Sequence, residues 1–184
     1  VQETAIAYKD AKRSKNIPTA NGGDGWEQPL APFGGVYPYA KVMETESGHV
    51  LTFDDSPNHE YISLYHRAGT FLDVDCNGTQ VNKIIGDSYQ IIDRNGSIYI
   101  TGRCNVSVGN SVNILVQGAA DIQVDGMATV NLNNKADIGV GGDLNIAVGG
   151  DIKTYVGGNK VTTVIGNENN DITGNQVSTV AGNS

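Results

Sequence analysis

Four groups of residues in this sequence have types and spacings that chemistry could use. Asp54, Asp55 and Glu60 could supply the acid and base of a glycosidase, which needs two carboxyl groups across one sugar bond. The pair sits in Asp54-Asp55-Ser56-Pro57-Asn58, where aspartate's habit of bonding nearby backbone already accounts for a turn. His49, His59 and His66 could ligate a metal, but their spacings of ten and seven residues fit no ligand pattern. Gly22, Gly23, Gly25, Gly34 and Gly35 suggest a phosphate cradle, yet no Gly-Lys-Ser or Gly-Lys-Thr follows them. Cys76 and Cys104 lie 28 residues apart, with neither a zinc spacing nor a disulfide framework, and read as small apolar fillers. The expectation is therefore no catalytic, cofactor-binding or metal-ligating set.

What would position such residues is a repeat. Counted in blocks of eight, one slot holds Cys76, Ile84, Ile92, Ile100, Val108, Val116, Val124, Leu132, Val140, Val148, Val156, Val164, Ile172 and Val180. Two residues later comes glycine in eleven of these fourteen blocks: Gly78, Gly86, Gly102, Gly118, Gly126, Gly142, Gly150, Gly158, Gly166, Gly174 and Gly182. The exceptions are Arg94, Asn110 and Asn134. Asparagine is the side chain that best tolerates a left-handed backbone, so the pattern predicts left-handed corners. An octad such as Leu144-Asn145-Ile146-Ala147-Val148-Gly149-Gly150-Asp151 reads as five alternating residues and a corner, with Leu144, Ile146 and Val148 on one face.

A fixed period means stacked strands that cannot bury their faces alone. A single-chain solenoid usually differentiates the octads on its different sides, and these are nearly equivalent. The sequence thus predicts an all-β, intertwined homotrimeric triangular β-helix, or β-prism, with a single-chain solenoid as the alternative. At about 4.8 Å per strand, fourteen strands per face give a rod on the order of 65 Å long. The predicted organisation is an irregular linker over residues 1–39 wrapping the trimer, a short antiparallel β region over 40–71, and the octad β-helix over 72–184.

Composition agrees with a repeat rod: 24 glycines in 184 residues and 39% hydrophobic residues argue against an ordinary core. The net charge is -8, and three copies would carry three times that, which disfavours nucleic acid and anionic lipid as partners. The sequence has neither a run of eighteen apolar residues nor a signal peptide. It starts at Val1 and stops in mid-pattern at Ser184, so both ends read as cuts in a longer protein. Residues 1–17 read as a short helix or irregular linker. Residues 18–39 are rich in Gly, Pro and aromatics, including Trp26, Tyr37 and Tyr39, which are expected to pin the segment to the trimer surface. Val50 to Phe53, Tyr61 to His66 and the Asn77-Gly78 turn are hairpin signals.

Glu44-Thr45-Glu46-Ser47-Gly48-His49, Phe53-Asp54-Asp55-Ser56-Pro57, Glu60, His66 and Gly69-Thr70 together resemble a junction motif found in central spike proteins of contractile phage tails. The related valine-glycine repeat proteins (VgrG) of type VI secretion are similar. In both, such a segment precedes octads like Val148-Gly149-Gly150 and Val156-Gly157-Gly158. The resemblance runs roughly from Trp26 to the end, and the elements Trp26 to Pro29 and Tyr37 to Tyr39 resemble the T-even branch most. It implies a trimeric β-helical needle below an upstream OB-fold hub, followed in T-even-like phages by a lysozyme domain. It also implies a virion protein of the tail baseplate, with a small tip-capping protein at its C-terminal end or a metal-bearing apex. No His-x-His apex motif is present, and the polar last octads suit a partner cap.

The structural repeat expected to carry function is Val108, Val116, Gly118, Val124, Gly126, Val140, Gly142, Val148, Gly150, Val156, Gly158, Val164, Gly166, Ile172, Gly174, Val180 and Gly182. Inward positions between Ile98 and Val156 are mainly apolar, whereas those beyond include Lys160, Thr162, Glu168, Asn170, Gln176 and Ser178. That drift predicts waters or ions on the threefold axis near Lys160 and Glu168, because buried polar groups need partners. The competing reading places Lys160, Glu168 and Gln176 at prism corners, in solvent. The expected function is mechanical: a membrane-piercing needle that helps a contracting tail perforate the host outer membrane. The rivals are a trimeric tailspike that cleaves or binds polysaccharide, and a secreted type VI spike.

Overall fold

Alternation of side chains along five short strands makes the only sheet among the described residues, 2–182 of the computed structural model. The strands are β1 (Ala40–Glu44), β2 (Val50–Asp54), β3 (Tyr61–Tyr65), β4 (Phe71–Val74) and β5 (Gln80–Lys83). Each pairs antiparallel with its neighbour in sequence, in the order β1-β2-β3-β4-β5. Among the described residues the regular structure is thus all-β apart from one helix and one short 3-10 turn, Ala20–Gly22.

Three of the connections use the same device. Gly48, Gly69 and Gly78 have φ of 86°, 98° and 77°. Each closes a three-residue loop, the geometry that a glycine in the left-handed region permits between antiparallel strands. The Gly48, Gly69 and Gly78 amides donate to the carbonyls of Thr45, His66 and Asp75 at 2.9, 2.7 and 2.9 Å. In each loop the first residue adds a side-chain acceptor. Thr45 Oγ1 takes the His49 amide at 3.1 Å, His66 Nδ1 the Ala68 amide at 3.1 Å, and Asp75 Oδ1 the Asn77 and Thr79 amides at 2.9 and 2.8 Å. The fourth connection turns through Ser56 and His59, with Asn58 at φ 65°.

The sheet has two unlike faces. Val50, Thr52, Asp54, Tyr61, Ser63, Tyr65, Phe71 and Asp73 are buried. Of the residues between them, Phe53, Ile62 and Leu64 are exposed, while Leu51 and Leu72 are half-buried. What covers the first face is the helix α1 (Gln2–Ala11), in the stretch read as helix or linker. Tyr8 meets Tyr65 edge-on with ring centroids 6.3 Å apart, and packs so close to Gly69 that a Cβ there would fall 2.6 Å from it. Lys9, in the last turn where a cation suits the helix dipole, reaches into the sheet. Beyond α1 the chain is largely irregular. Ile17 and Trp26 exchange two backbone hydrogen bonds of 2.9 and 3.0 Å.

The antiparallel sheet runs on to Lys83, so the residues counted as the first octad fold as the β4–β5 hairpin. From there the backbone bends at residues 85–86, 93–94, 101–102 and every eight residues after, out to 173–174, and joins no strand ladder. The chain divides into two compact units, residues 1–120 and 121–184. In both, the bend falls on the two residues after each apolar slot.

The corners correct one expectation. Among the repeat glycines only Gly78 and Gly182 have positive φ, and neither Asn110 nor Asn134 does. The octad corners are therefore not left-handed. Nor does crowding from the chain itself demand glycine, because a Cβ added at Gly118, Gly126, Gly142, Gly150, Gly158, Gly166 or Gly174 would have nothing within 4 Å.

Candidate functional site

The expected acidic site is taken apart by its own hydrogen bonds. Asp54, Asp55 and Glu60 do line one open hollow, together with Asp75 and Cys76. Asp54, however, lies on the covered face, where its Oδ1 accepts the Ser56 amide at 2.8 Å. Its Oδ2 lies 2.9 Å from where a Cβ on Gly35 would stand. The neighbouring Ser56 hydroxyl accepts the Val36 amide at 2.8 Å. These bonds tie residues 35 and 36 to the β2–β3 turn, which is structural work. Asp75 is likewise engaged. The Thr79 amide, and secondly the Asn77 amide, hold its carboxyl below the ordinary carboxylate range.

Two of the three histidines meet. The rings of His49 and His66 are 4.4 Å apart, because the β2–β3 register that pairs Val50 with Tyr65 sets them opposite one another. Their Nδ1 atoms accept the amides of Arg67 at 3.4 Å and Ala68 at 3.1 Å. His59 sits elsewhere, against Gly34. Among the described residues no group of three or more His, Cys, Asp and Glu side chains could hold a metal ion. Cys76 and Cys104 are free and exposed.

A site that sequence reading missed is the Lys9–Asp73 pair. Lys9 Nζ donates to Asp73 Oδ1 at 2.7 Å and to Ser63 Oγ at 2.8 Å, and lies 4.8 Å from the Phe71 ring centroid. The one available signal was Asp73 itself, an acid in phase with buried Phe71 rather than with Leu72 and Val74.

The repeat presents an unusual surface. Along Ile92, Ile100, Val108, Val116, Val124, Leu132, Val140, Val148, Val156, Val164 and Ile172, the slot is from 44% to 62% exposed on its own chain. The inward residues two positions earlier, from Ile98 and Val106 to Ile138, are barer still. Val180, Lys160 and Glu168 are exposed too. A ladder of aliphatic side chains recurring every eight residues has no catalytic chemistry to offer. What it can supply is area to be covered.

An antiparallel meander leading into uncovered apolar octads defines a repeat protein. No protein-family profile matches the chain. It is 40% identical over 106 residues to Protein Gp5 of Vibrio phage KVP40, a match covering 56% of this chain and 25% of that protein. It is 36% identical over 86 residues to the pre-baseplate central spike protein Gp5 of Enterobacteria phage T4, covering 47% of this chain and 15% of that one. The chain is thus similar to part of these two Gp5 proteins and spans a quarter or less of their length.

Proposed function

We propose that three copies of this chain interleave into a β-prism in the central spike of a phage tail baseplate, and that the prism helps perforate the host outer membrane as the tail contracts. The observation that carries this reading is the apolar slot, kept in phase from Ile84 to Val180 and left uncovered by its own chain. Burial of such surface is worth about 25 cal/mol per Å², so a ladder of this length is a strong drive to associate.

Three further features support three chains over one. A triangular solenoid made by one chain would pair each residue with the one 24 later, yet no such ladder forms after Lys83 among the described residues. The corner glycines have no reason within their own chain, whereas close approach of a neighbouring backbone is a reason. The uncovered sheet face is apolar too, with Leu51 opposite Leu64, Phe53 opposite Ile62, and Leu64 opposite Leu72. Interleaved strands bonded on both edges make each chain hard to withdraw, which suits axial load.

The virion tail baseplate is the place this reading gives the chain, in keeping with the Gp5 relatives. The proposal extends to an OB-fold and lysozyme region upstream, a small capping protein at the C-terminal end, and waters or ions on the axis near Lys160 and Glu168. Mass measurement in solution tests the assembly: three chains are expected, and a stable monomer would sink the reading. Infection by phage with octads deleted from the repeat tests the piercing role. Undiminished penetration by a shortened but assembled spike would refute that part alone.

A further inference from the structure

The linker touches the octads at two points whose spacing is informative. Lys83 Nζ donates to Ser14 Oγ at 3.4 Å, to Gln28 Oε1 at 3.0 Å and to the Lys12 carbonyl. Ser107 Oγ donates to the Pro18 carbonyl at 2.5 Å. Lys83 and Ser107 both stand just before an apolar slot, Ile84 and Val108, and are 24 residues apart, or three octads. On the three-chain reading proposed above, on which this inference rests, three octads bring a chain back to the face it started from. The strands between belong to the other two copies. Three strand spacings of about 4.8 Å make about 14 Å. The chain from Ser14 to Pro18 advances four residues, which at about 3.3–3.6 Å per residue is the same length.

The residues in that intermediate register are Ile91 and Tyr99, which precede the slots Ile92 and Ile100. Alternation puts them on the opposite face from the slots, outward on the three-chain reading, and they are 83% and 89% exposed on their own chain. The same register later holds Gln123, Asn131, Gly139, Ala147, Thr163, Asp171 and Thr179, with Leu115 and Tyr155 as the large exceptions. Two large apolar side chains facing out at the top of the repeat call for a cover. Beside β5, whose outer edge is unpaired among the described residues, a hollow of about 390 Å³ is lined by Ile17, Trp26, Val81 and Ile84 and by polar residues that include Gln28 and Lys83. Ile17 and Trp26 are held together there by their paired backbone bonds, and Trp26 is 41% exposed.

We propose that residues 14–18 and Trp26 form a clamp across chains, lying over Ile91 of one neighbouring copy and Tyr99 of the other. Lys83 and Ser107 are the clamp's two anchors on its own chain. The strand carrying Ile91 fills the hollow against β5, and each copy's linker thereby fastens both of its neighbours.

Photo-cross-linking tests this with benzoylphenylalanine in place of the single tryptophan, Trp26, in the 184-residue chain. Irradiation is expected to give covalent dimers on a denaturing gel, with the cross-link mapping to residues 88–100 of the second copy. In a sample whose solution mass is three chains, cross-links confined to the same chain or falling elsewhere would overturn the clamp and leave the trimer standing. A one-chain mass would overturn both. As a second readout, Tyr99→Asp is expected to move Trp26 emission to longer wavelength in the assembled protein. Unchanged emission at unchanged mass would count against the clamp.

Discussion

Lys9 Nζ lies 2.7 Å from Asp73 Oδ1, and the two side chains are only 4% and 3% exposed. A charge pair this deep holds α1 to β4, and removing one member leaves the other buried without its counter-charge. Lys9→Met should therefore cost about 3–5 kcal/mol in the unfolding of the sheet. The double variant Lys9→Met with Asp73→Leu should recover most of that loss. Urea unfolding followed by near-ultraviolet circular dichroism checks both, and equal loss in single and double variants would refute the pairing's role.

Gly69 meets two demands at once. Its φ of 98° is strained for any residue with a Cβ, and that Cβ would also fall 2.6 Å from the Tyr8 ring. Gly69→Ala should destabilise by about 1–3 kcal/mol, and Gly48→Ala, where only the Arg67 side chain comes near, should lose less. Comparison of the two midpoints in urea tests the ordering.

Asp75 should make the β4–β5 turn sensitive to acid. Its folded carboxyl is held below the ordinary value, so its contribution is present above the unfolded pKa and is lost as pH falls through the folded one. Asp75→Asn keeps an acceptor oxygen in the turn but cannot titrate. The variant should therefore show a flatter decline in stability below the ordinary carboxylate range. An unchanged acid limb would mean other carboxyls dominate it.

Tyr65 responds in the opposite direction. Burial, and secondly the adjacent Tyr8 phenol, raise its pKa above the ordinary 10.0. A folded value above the unfolded one means stability is intact below about pH 10 and declines as pH rises towards the folded pKa. Tyr65→Phe should remove that alkaline decline while leaving stability at pH 7 close to that of the parent. Stability profiles from pH 8 to 11 compare the two.

The eight-residue rhythm was legible because period-2 alternation and corner residues are written locally, and the bends fall where the slots place them. Corner conformation was not legible. Glycine answers to close approach as well as to left-handed backbone, and only φ tells the two apart. The hairpin glycines Gly69 and Gly78 could be picked out for the same local reason. The meeting of His49 and His66 follows from strand register, which ten- and seven-residue spacings do not encode. Lys9 and Asp73 are 64 residues apart, and nothing local joins them. Their pairing depends on which face of the sheet the helix covers. The dismantled carboxylate site was half legible, since Ser56 after Asp54 already suggested a backbone bond.

The sequential order of the strands has a consequence for assembly. Every partner in the meander is its neighbour along the chain, joined through loops short enough to close on the microsecond scale. The octads find no such neighbour at home. On the three-chain reading proposed above, a newly made polypeptide finishes its head unaided and its tail only in company. On that reading the completed head would give arriving copies a common starting line, so that the equivalent octads, which could otherwise slip by eight, begin in step.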